Sequence, residues 1–362
     1  MNQSSHNVVL EHNLKDALLR VLQQVSWLRV VEVQNQPPFN WLIRLQCRNK
    51  TKIILGILVK AELSPSKFIA SGYAKNIGAS SVIPILALPL VSPRMAEICQ
   101  AKGWNWLDTA GNYRLEIPDL ILLQSTGHKA TDKRPRPVAN LSSAEAGNVI
   151  QALLLAGRDA TWTQRELQAQ ATVSLGLVNK VVGYLRDEAF VEFQAGDKIR
   201  LKDPVSLLLA WRDAYRFSQH QRLSYFTLLR GNDLTDALYN AGLEGNIAYA
   251  SFSAADRLQA SHVRQSKTWL YVEKSLLEKL VEYTQAQPVG TGDNLVLLVP
   301  NNLGVFVPGE QSGIGIDEPR ISCTNLVRTY VDLWHSGGRG QEAAEALFEQ
   351  CIKIAWEVRV MI

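Results

Sequence analysis

The stretch from Ser142 to Pro204 constrains this chain more than any other. Three short amphipathic segments there precede two strand-like runs. Ser142 with Glu145, and Thr163 with Glu166, have the spacing of a capping box, in which hydroxyl and carboxylate satisfy orphan backbone donors reciprocally. Val149, Ala152, Leu153 and Ala156 recur at helical spacing until Gly157 stops the first helix. Leu167 and Ala171 mark a short second helix, Thr172-Val173 a tight turn, and Ser174 a cap for the third. In that third helix Val178, Val181 or Val182, and Leu185 form the inward stripe. Phe190–Phe193, a turn at Ala195–Lys198, and Ile199–Leu201 then alternate like a hairpin. Helices followed by a hairpin in this order are what a winged helix-turn-helix requires.

Groove geometry gives such a module its chemistry. A helix entering the major groove presents its first two turns to base edges. Ser174, Asn179, Lys180 and Tyr184 are expected to form that surface, with Asn179 suited to reading adenine. Arg165 at the start of the second helix, and Lys198, Arg200 and Lys202 in the wing, suit phosphates, which position without specifying. Against this, seven Lys and Arg in 142–204 face eight acids, so no domain-wide basic field exists. A winged helix used only for protein contacts fits the same pattern.

The chain has 362 residues, 46% of them hydrophobic, enough for two or three domains with sizeable cores. Its net charge of +4 selects no partner by itself. No apolar run long enough to span a membrane and no leader pattern is visible, so a soluble, cytoplasmic protein is expected. Cys47, Cys99, Cys323 and Cys351 are scattered without any CxxC pair, which reads as reduced thiols rather than a zinc site or disulfide frame. No cofactor is implied.

Residues 1–125 read as an α/β unit. Leu14, Leu18, Leu19, Leu22 and Val25 make the face of an opening helix, with strands at Leu28–Val33, Trp41–Cys47 and Lys52–Lys60. Ser64-Pro65 and Ser92-Pro93 each place a capping hydroxyl before a proline suited to the first helical turn. Ser81–Leu88 is an apolar run of the kind buried on both faces. The rhythm is that of a restriction-endonuclease-like domain, whose chemistry needs acidic metal ligands and a lysine at one strand end. Lys60, Glu62, Asp108 and Asp119 are the candidates, but none sets an Asp before a Glu-x-Lys. A silent scaffold is expected, with Asp108 bracing a turn at Gly111-Asn112; the alternative is a nucleic-acid-processing enzyme with a divergent nuclease site in residues 28–124.

Residues 126–141 form a hydrophilic linker in which Lys129, Lys133, Arg134 and Arg136 oppose Asp132. A connecting helix is expected over 205–222, with His220 as a helix-end cation. Residues 223–362 read as a second α/β unit. Its expected strands include Ile247–Ser251, Thr268–Val272, Asn294–Pro300 and Gly304–Val307, and Ser253 with Asp256 is expected to cap a helix. Asp233 and Asp236 are the nearest approach to a nucleotidyltransferase's paired aspartates, and read better as helix-start caps. Arg339, in the Gly337–Gly340 turn, reads as structural or partner-facing rather than phosphate-binding.

Several stretches together carry a resemblance: Trp106–Tyr113, the winged helix, Ala254–Leu258, and Tyr330–Leu333 running into Gly337–Ala344. With these the chain resembles transcriptional regulators related to the AbiEi-type antitoxins of type IV toxin–antitoxin systems. The resemblance implies double-stranded DNA as partner, autoregulation through inverted repeats read by a homodimer, and a nucleotidyltransferase-type toxin as second partner. It supplies no catalytic residues. In those antitoxins the winged helix leads the chain, whereas here an α/β unit precedes it.

Overall fold

The computed structural model describes residues 3–47, 52–73, 82–129, 141–260, 263, 265–307 and 321–358. It is a mixed α/β fold with several sheets, divided into two compact units. Among the described residues no helix is long and apolar enough to cross a membrane.

The first unit comprises Met1–Arg136 with Arg186–Ala189. Helix α1 (Gln3–Gln23) leads to β1 (Leu28–Gln36), β2 (Phe39–Cys47) and β3 (Lys52–Val59). Then come α2 (Pro65–Ala70), β4 (Val82–Leu88), α3 (Pro93–Ala101), β5 (Asn105–Asp108), β6 (Tyr113–Ile117) and β7 (Ile121–Ser125). All the strands lie in one sheet in chain order, parallel across β3, β4 and β5 and antiparallel on either side.

Successive strand residues face opposite sides. Ile85 and Ala87 join a core with Leu14, Leu18 and Leu22 of α1, while Leu86 and Leu88 join another with Phe68, Met95 and Cys99 of α2 and α3. A strand covered on both faces has no polar side to show, hence the apolar run. Ser64 and Ser92 cap their helices by accepting from the Lys67 and Met95 amides.

The second unit comprises Pro137–Leu185 and Phe190–Ile362. It opens with α4 (Ala144–Ala156), β8 (Thr161–Trp162), α5 (Gln164–Ala171), α6 (Leu175–Asp187), β9 (Val191–Gln194) and β10 (Lys198–Leu201). The strands form a three-stranded antiparallel sheet in the order β8-β10-β9. After α7 (Pro204–Ala214) follow β11 (Gln221–Phe226), α8 (Gly231–Asn240), β12 (Ile247–Tyr249), α9 (Ser251–Arg257) and β13 (Thr268–Val272). Next are α10 (Leu277–Tyr283), β14 (Gln287–Pro288) and β15 (Leu295–Val299), and the chain closes with α11 (Leu326–His335), α12 (Gly340–Leu347) and α13 (Lys353–Val358). The larger sheet has the order β12-β13-β15-β11-β14, with only β13 and β15 parallel.

One apolar core runs through this unit. It contains Val149, Ile150 and Leu153 of α4, the inward stripe of α6, Trp211 of α7, Trp269 and Tyr271 of β13, and Val327 and Val331 of α11. Residues 142–204 and 223–362, expected as separate modules, therefore share this core, while a second cluster around Leu234, Leu238, Leu270 and Leu297 belongs to the C-terminal stretch alone.

Several expectations need correcting. The hydroxyl that caps α4 is that of Ser143, not Ser142; it accepts from the Ala146 amide. The connecting helix does not reach residue 222. It ends at Ala214, where Tyr215, half-buried, turns extended (φ −64°, ψ 141°) with its hydroxyl on Asp332, and Gln221 already begins β11. Ser253 lies inside α9 rather than at its cap, and its hydroxyl accepts from the Trp269 amide. Leu303–Phe306 is a 3-10 turn, not a strand. Most of the basic linker, including Asp132, Lys133, Arg134 and Arg136, lies outside the described residues.

Candidate nucleic-acid interface

The turn between α5 and α6 is built as its spacing suggests. Thr163 and Glu166 complete a reciprocal capping box, and Thr172 closes α5 in the left-handed conformation at φ 53°. Ser174 Oγ accepts from the Leu177 amide at 3.3 Å, so it is committed to starting α6 while remaining exposed. Val178, Val181, Val182 and Leu185 are fully buried. That fixes the rotation of α6 and leaves Asn179 and Lys180 exposed on the opposite side. Asn179 Nδ2 donates to Gln164 Oε1 at 3.4 Å, tying the exposed face to the start of α5.

Tyr184 departs from expectation. It is half-buried and packs against the core, so it does not share the free face of Asn179. Gly176 and Gly183 are features the sequence reading missed: a Cβ built on either meets nothing within 4 Å, so this side of α6 is smooth.

The wing cations divide into two kinds. Lys198 lies 3.6 Å from Glu166, and Arg200 donates through Nε to Glu192, its cross-strand partner, at 2.9 Å. Hydrogen bonds hold both carboxyls below their ordinary range, from the Thr163 amide at Glu166 and from Arg200 at Glu192. Lys198 and Arg200 are thus locally neutralised. Arg165, Lys180 and Lys202 are exposed, and among the described residues none has a carboxylate within 4.0 Å.

Behind this surface lies a buried polar network with no counterpart in the expectations. Asn148 of α4 donates to the Ala171 carbonyl at the end of α5 (3.3 Å) and to Asn302 Oδ1 (3.0 Å). Gly304 permits this contact, since a Cβ there would sit 2.0 Å from Asn148 Oδ1. Gln151, one turn on, donates to the Gly304 carbonyl and accepts from Arg328 Nε, both at 3.2 Å. Tyr215 donates to Asp332 Oδ1 at 2.6 Å and Tyr271 to Oδ2 at 3.0 Å.

His220 belongs to the same network and is not a helix-end cation. Its Nδ1 accepts from the Asn301 amide, which leaves Nε2 to donate to Tyr215 Oη at 2.8 Å. Burial, with Arg328 adding to it, holds its pKa down at about 4, so the ring is neutral at pH 7. Burial pushes the Asp332 carboxyl the other way, up to about 6, against the lowering effects of Arg328 and the two tyrosines. The visible sequence signal was polar residues on apolar helices, Asn148 and Gln151 among Val149, Ile150 and Leu153.

In the first unit Asp108 accepts from the Val91, Ala110 and Asn112 amides and from Asn112 Nδ2. It braces the Gly111-Asn112 turn. Lys60 Nζ lies over the Tyr73 ring and Glu62 is exposed. Asp119 sits at φ 60° in the turn between β6 and β7. Among the described residues no three His, Cys, Asp or Glu side chains cluster to hold a metal ion. Arg339 is exposed and ion-paired with Glu342; Asp233 lies in the first turn of α8 but is not its cap, which is Arg230 with no side-chain cap bond.

The chain matches no known family model, no curated protein and no solved structure.

Proposed function

We propose that this protein is a cytoplasmic, non-enzymatic regulator that binds double-stranded DNA sequence-specifically through a winged helix-turn-helix in residues 142–204. On this reading it acts as a homodimer on its own operon and counters a nucleotidyltransferase-like toxin, as the resemblance to AbiEi-type antitoxins implies. The N-terminal unit is a restriction-endonuclease-like scaffold without activity; the four donors that occupy Asp108 support that part.

The observation that carries the reading is the free face of α6. A helix held by four fully buried residues presents Asn179 and Lys180 outward beside two glycines that allow close approach. A major groove admits a helix with such a face. The test is binding of the full chain to its own upstream DNA at two salt concentrations. Asn179→Ala should cost roughly 1–3 kcal/mol on the preferred site and little on random DNA. Equal loss on both, or none on either, would remove α6 from the reading role.

A second reading, a protein-docking winged helix, draws on the pairing of Lys198 with Glu166 and Arg200 with Glu192, and on Leu175 and Phe193, which are 41% and 36% exposed. Salt-independent behaviour on DNA together with a stable co-purifying partner would favour it.

A further inference from the structure

Where the end of α9 faces the entry to β13, a cavity of about 540 Å³ opens to solvent. Ligand pockets of that size are usually lined by apolar groups; this one is walled mainly by polar side chains. Arg257 and Lys267 bring two cations, and Ser253, Gln265, Ser266 and Thr268 bring hydroxyls and an amide. The buried Tyr249 and Phe252 supply its apolar share.

Arg257 is held in position by its neighbours. Its guanidinium carbon lies 3.6 Å from the centre of the Tyr249 ring, and Nη2 donates to Tyr249 Oη at 2.7 Å and to Thr235 Oγ1 at 3.4 Å. Among the described residues no carboxylate lies within 4.0 Å of it, and its Nε and Nη1 hydrogens meet no protein acceptor. A planar donor fork fixed in this way matches an oxyanion at small entropic cost. Lys267 spends one of its three N–H groups on Asp293 Oδ1, at 2.8 Å, and keeps two for a ligand.

The remaining walls set the body of the ligand. Ser253 Oγ accepts from the Trp269 amide, so its own proton is left to donate. The side chains of Asp256, Gln265, Ser266 and Thr268 make no hydrogen bond among the described residues. Asp256 is exposed beside Arg257; its carboxylate repels a bare anion but accepts from hydroxyls. Donors and acceptors mixed around a cationic anchor fit an anion carried on a body with several hydroxyls.

We infer that this cavity binds a small polyhydroxylated oxyanion, of the sugar phosphate or sugar acid class. The oxyanion sits on Arg257 and Lys267, and the hydroxyls meet Asp256, Gln265 and Ser266. The site stands whether or not α6 meets DNA.

The test is isothermal titration of the full chain with glucose 6-phosphate, gluconate, glucose and inorganic phosphate. Glucose 6-phosphate or gluconate should bind saturably and at least about tenfold more tightly than glucose or phosphate, as a hydrogen bond to a charged group allows. Binding of the first alone identifies a phosphate head, of the second alone a carboxylate, and of both a site that takes either. Arg257→Met should weaken that binding at least about tenfold. Asp256→Asn should narrow the preference for the sugar anion over inorganic phosphate. Should Arg257→Met not fold, the double variant Gln265→Ala, Ser266→Ala takes its place, both residues being exposed, and should weaken binding about threefold or more. No saturable binding of either sugar anion, inorganic phosphate binding as tightly as both, or an affinity that these substitutions leave unchanged would overturn the site.

Discussion

Gln151 and Arg328 stand 177 positions apart, and the amide oxygen of one accepts from the guanidinium Nε of the other at 3.2 Å. Neither residue is close to the surface. The bond joins α4 to α11, a helix of the larger sheet's layer. Replacing Gln151 by Leu keeps the volume and removes the acceptor. A buried donor left unmade costs about 1–3 kcal/mol, more for a charged group, so Gln151→Leu should lower the denaturant midpoint without changing the m-value.

Gly304 and Asn148 offer a cleaner measurement, because the contact is steric. Gly304→Ala puts a methyl 2.0 Å from Asn148 Oδ1, a distance no pair of atoms sustains. Overpacking of this kind costs roughly 1–3 kcal/mol. In an Asn148→Ala background the same change should cost much less. Additive losses in the double-mutant cycle would show that the two do not meet.

The pH dependence follows from opposite shifts. His220 falls from its ordinary 6.5 to about 4, so its contribution is present above pH 6.5 and lost as pH falls towards 4. Asp332 rises from 3.8 to about 6, so its contribution is present below pH 3.8 and lost as pH climbs through 6. Between about pH 4 and 6 the two slopes oppose and nearly cancel. Asp332→Asn should unmask the histidine slope, with stability falling on acidification below 6.5. His220→Gln should unmask the reverse slope, stability falling as pH rises from 4 to 6. Parallel pH profiles for wild type and both variants would contradict this assignment.

The wing can be dissected by salt. Arg165 and Lys202 have no carboxylate within 4.0 Å among the described residues, whereas Lys198 and Arg200 are engaged by Glu166 and Glu192. If phosphates are the partners, Arg165→Ala and Lys202→Ala should each reduce the slope of log affinity against log salt by about one. Arg200→Ala should change it less. Equal effects for all three would mean the internal ion pairs open on binding.

Thr172 supports a prediction about stability alone. A β-branched residue at φ 53° carries a steric cost that glycine does not. Thr172→Gly should raise stability by up to about 1 kcal/mol, leaving the α5–α6 turn intact. A loss instead would mean the threonine side chain makes a contact worth more than its strain.

Much of the local structure was legible because it is written in short-range chemistry. The Ser64-Pro65 and Ser92-Pro93 caps, the Thr163–Glu166 box and the valine stripe of α6 each depend on residues within a turn of one another. The failures at Tyr215 and His220 share a cause: the deciding partner was distant. Tyr215 looks like one more apolar helix residue until Asp332 and His220 claim its hydroxyl, and the helix then ends at Ala214. His220 looks like a cation until the Asn301 amide and burial make it neutral. In the candidate interface, spacing placed Asn179 and Lys180 on the exposed side of α6, but not the inward lean of Tyr184 or the carboxylates that occupy Lys198 and Arg200.

α4 is wrapped on all sides, with every residue from Ala146 to Leu154 buried. Part of that covering comes from the far end of the chain: Val327 and Val331 pack in the same core, and Trp356 Nε1 donates to the Leu154 carbonyl. A fragment cut at Pro204 would therefore strip the central helix of its roof. Any partner that pries the C-terminal helices away would uncover α4 as well, so whatever grips one end of this unit is felt at the other.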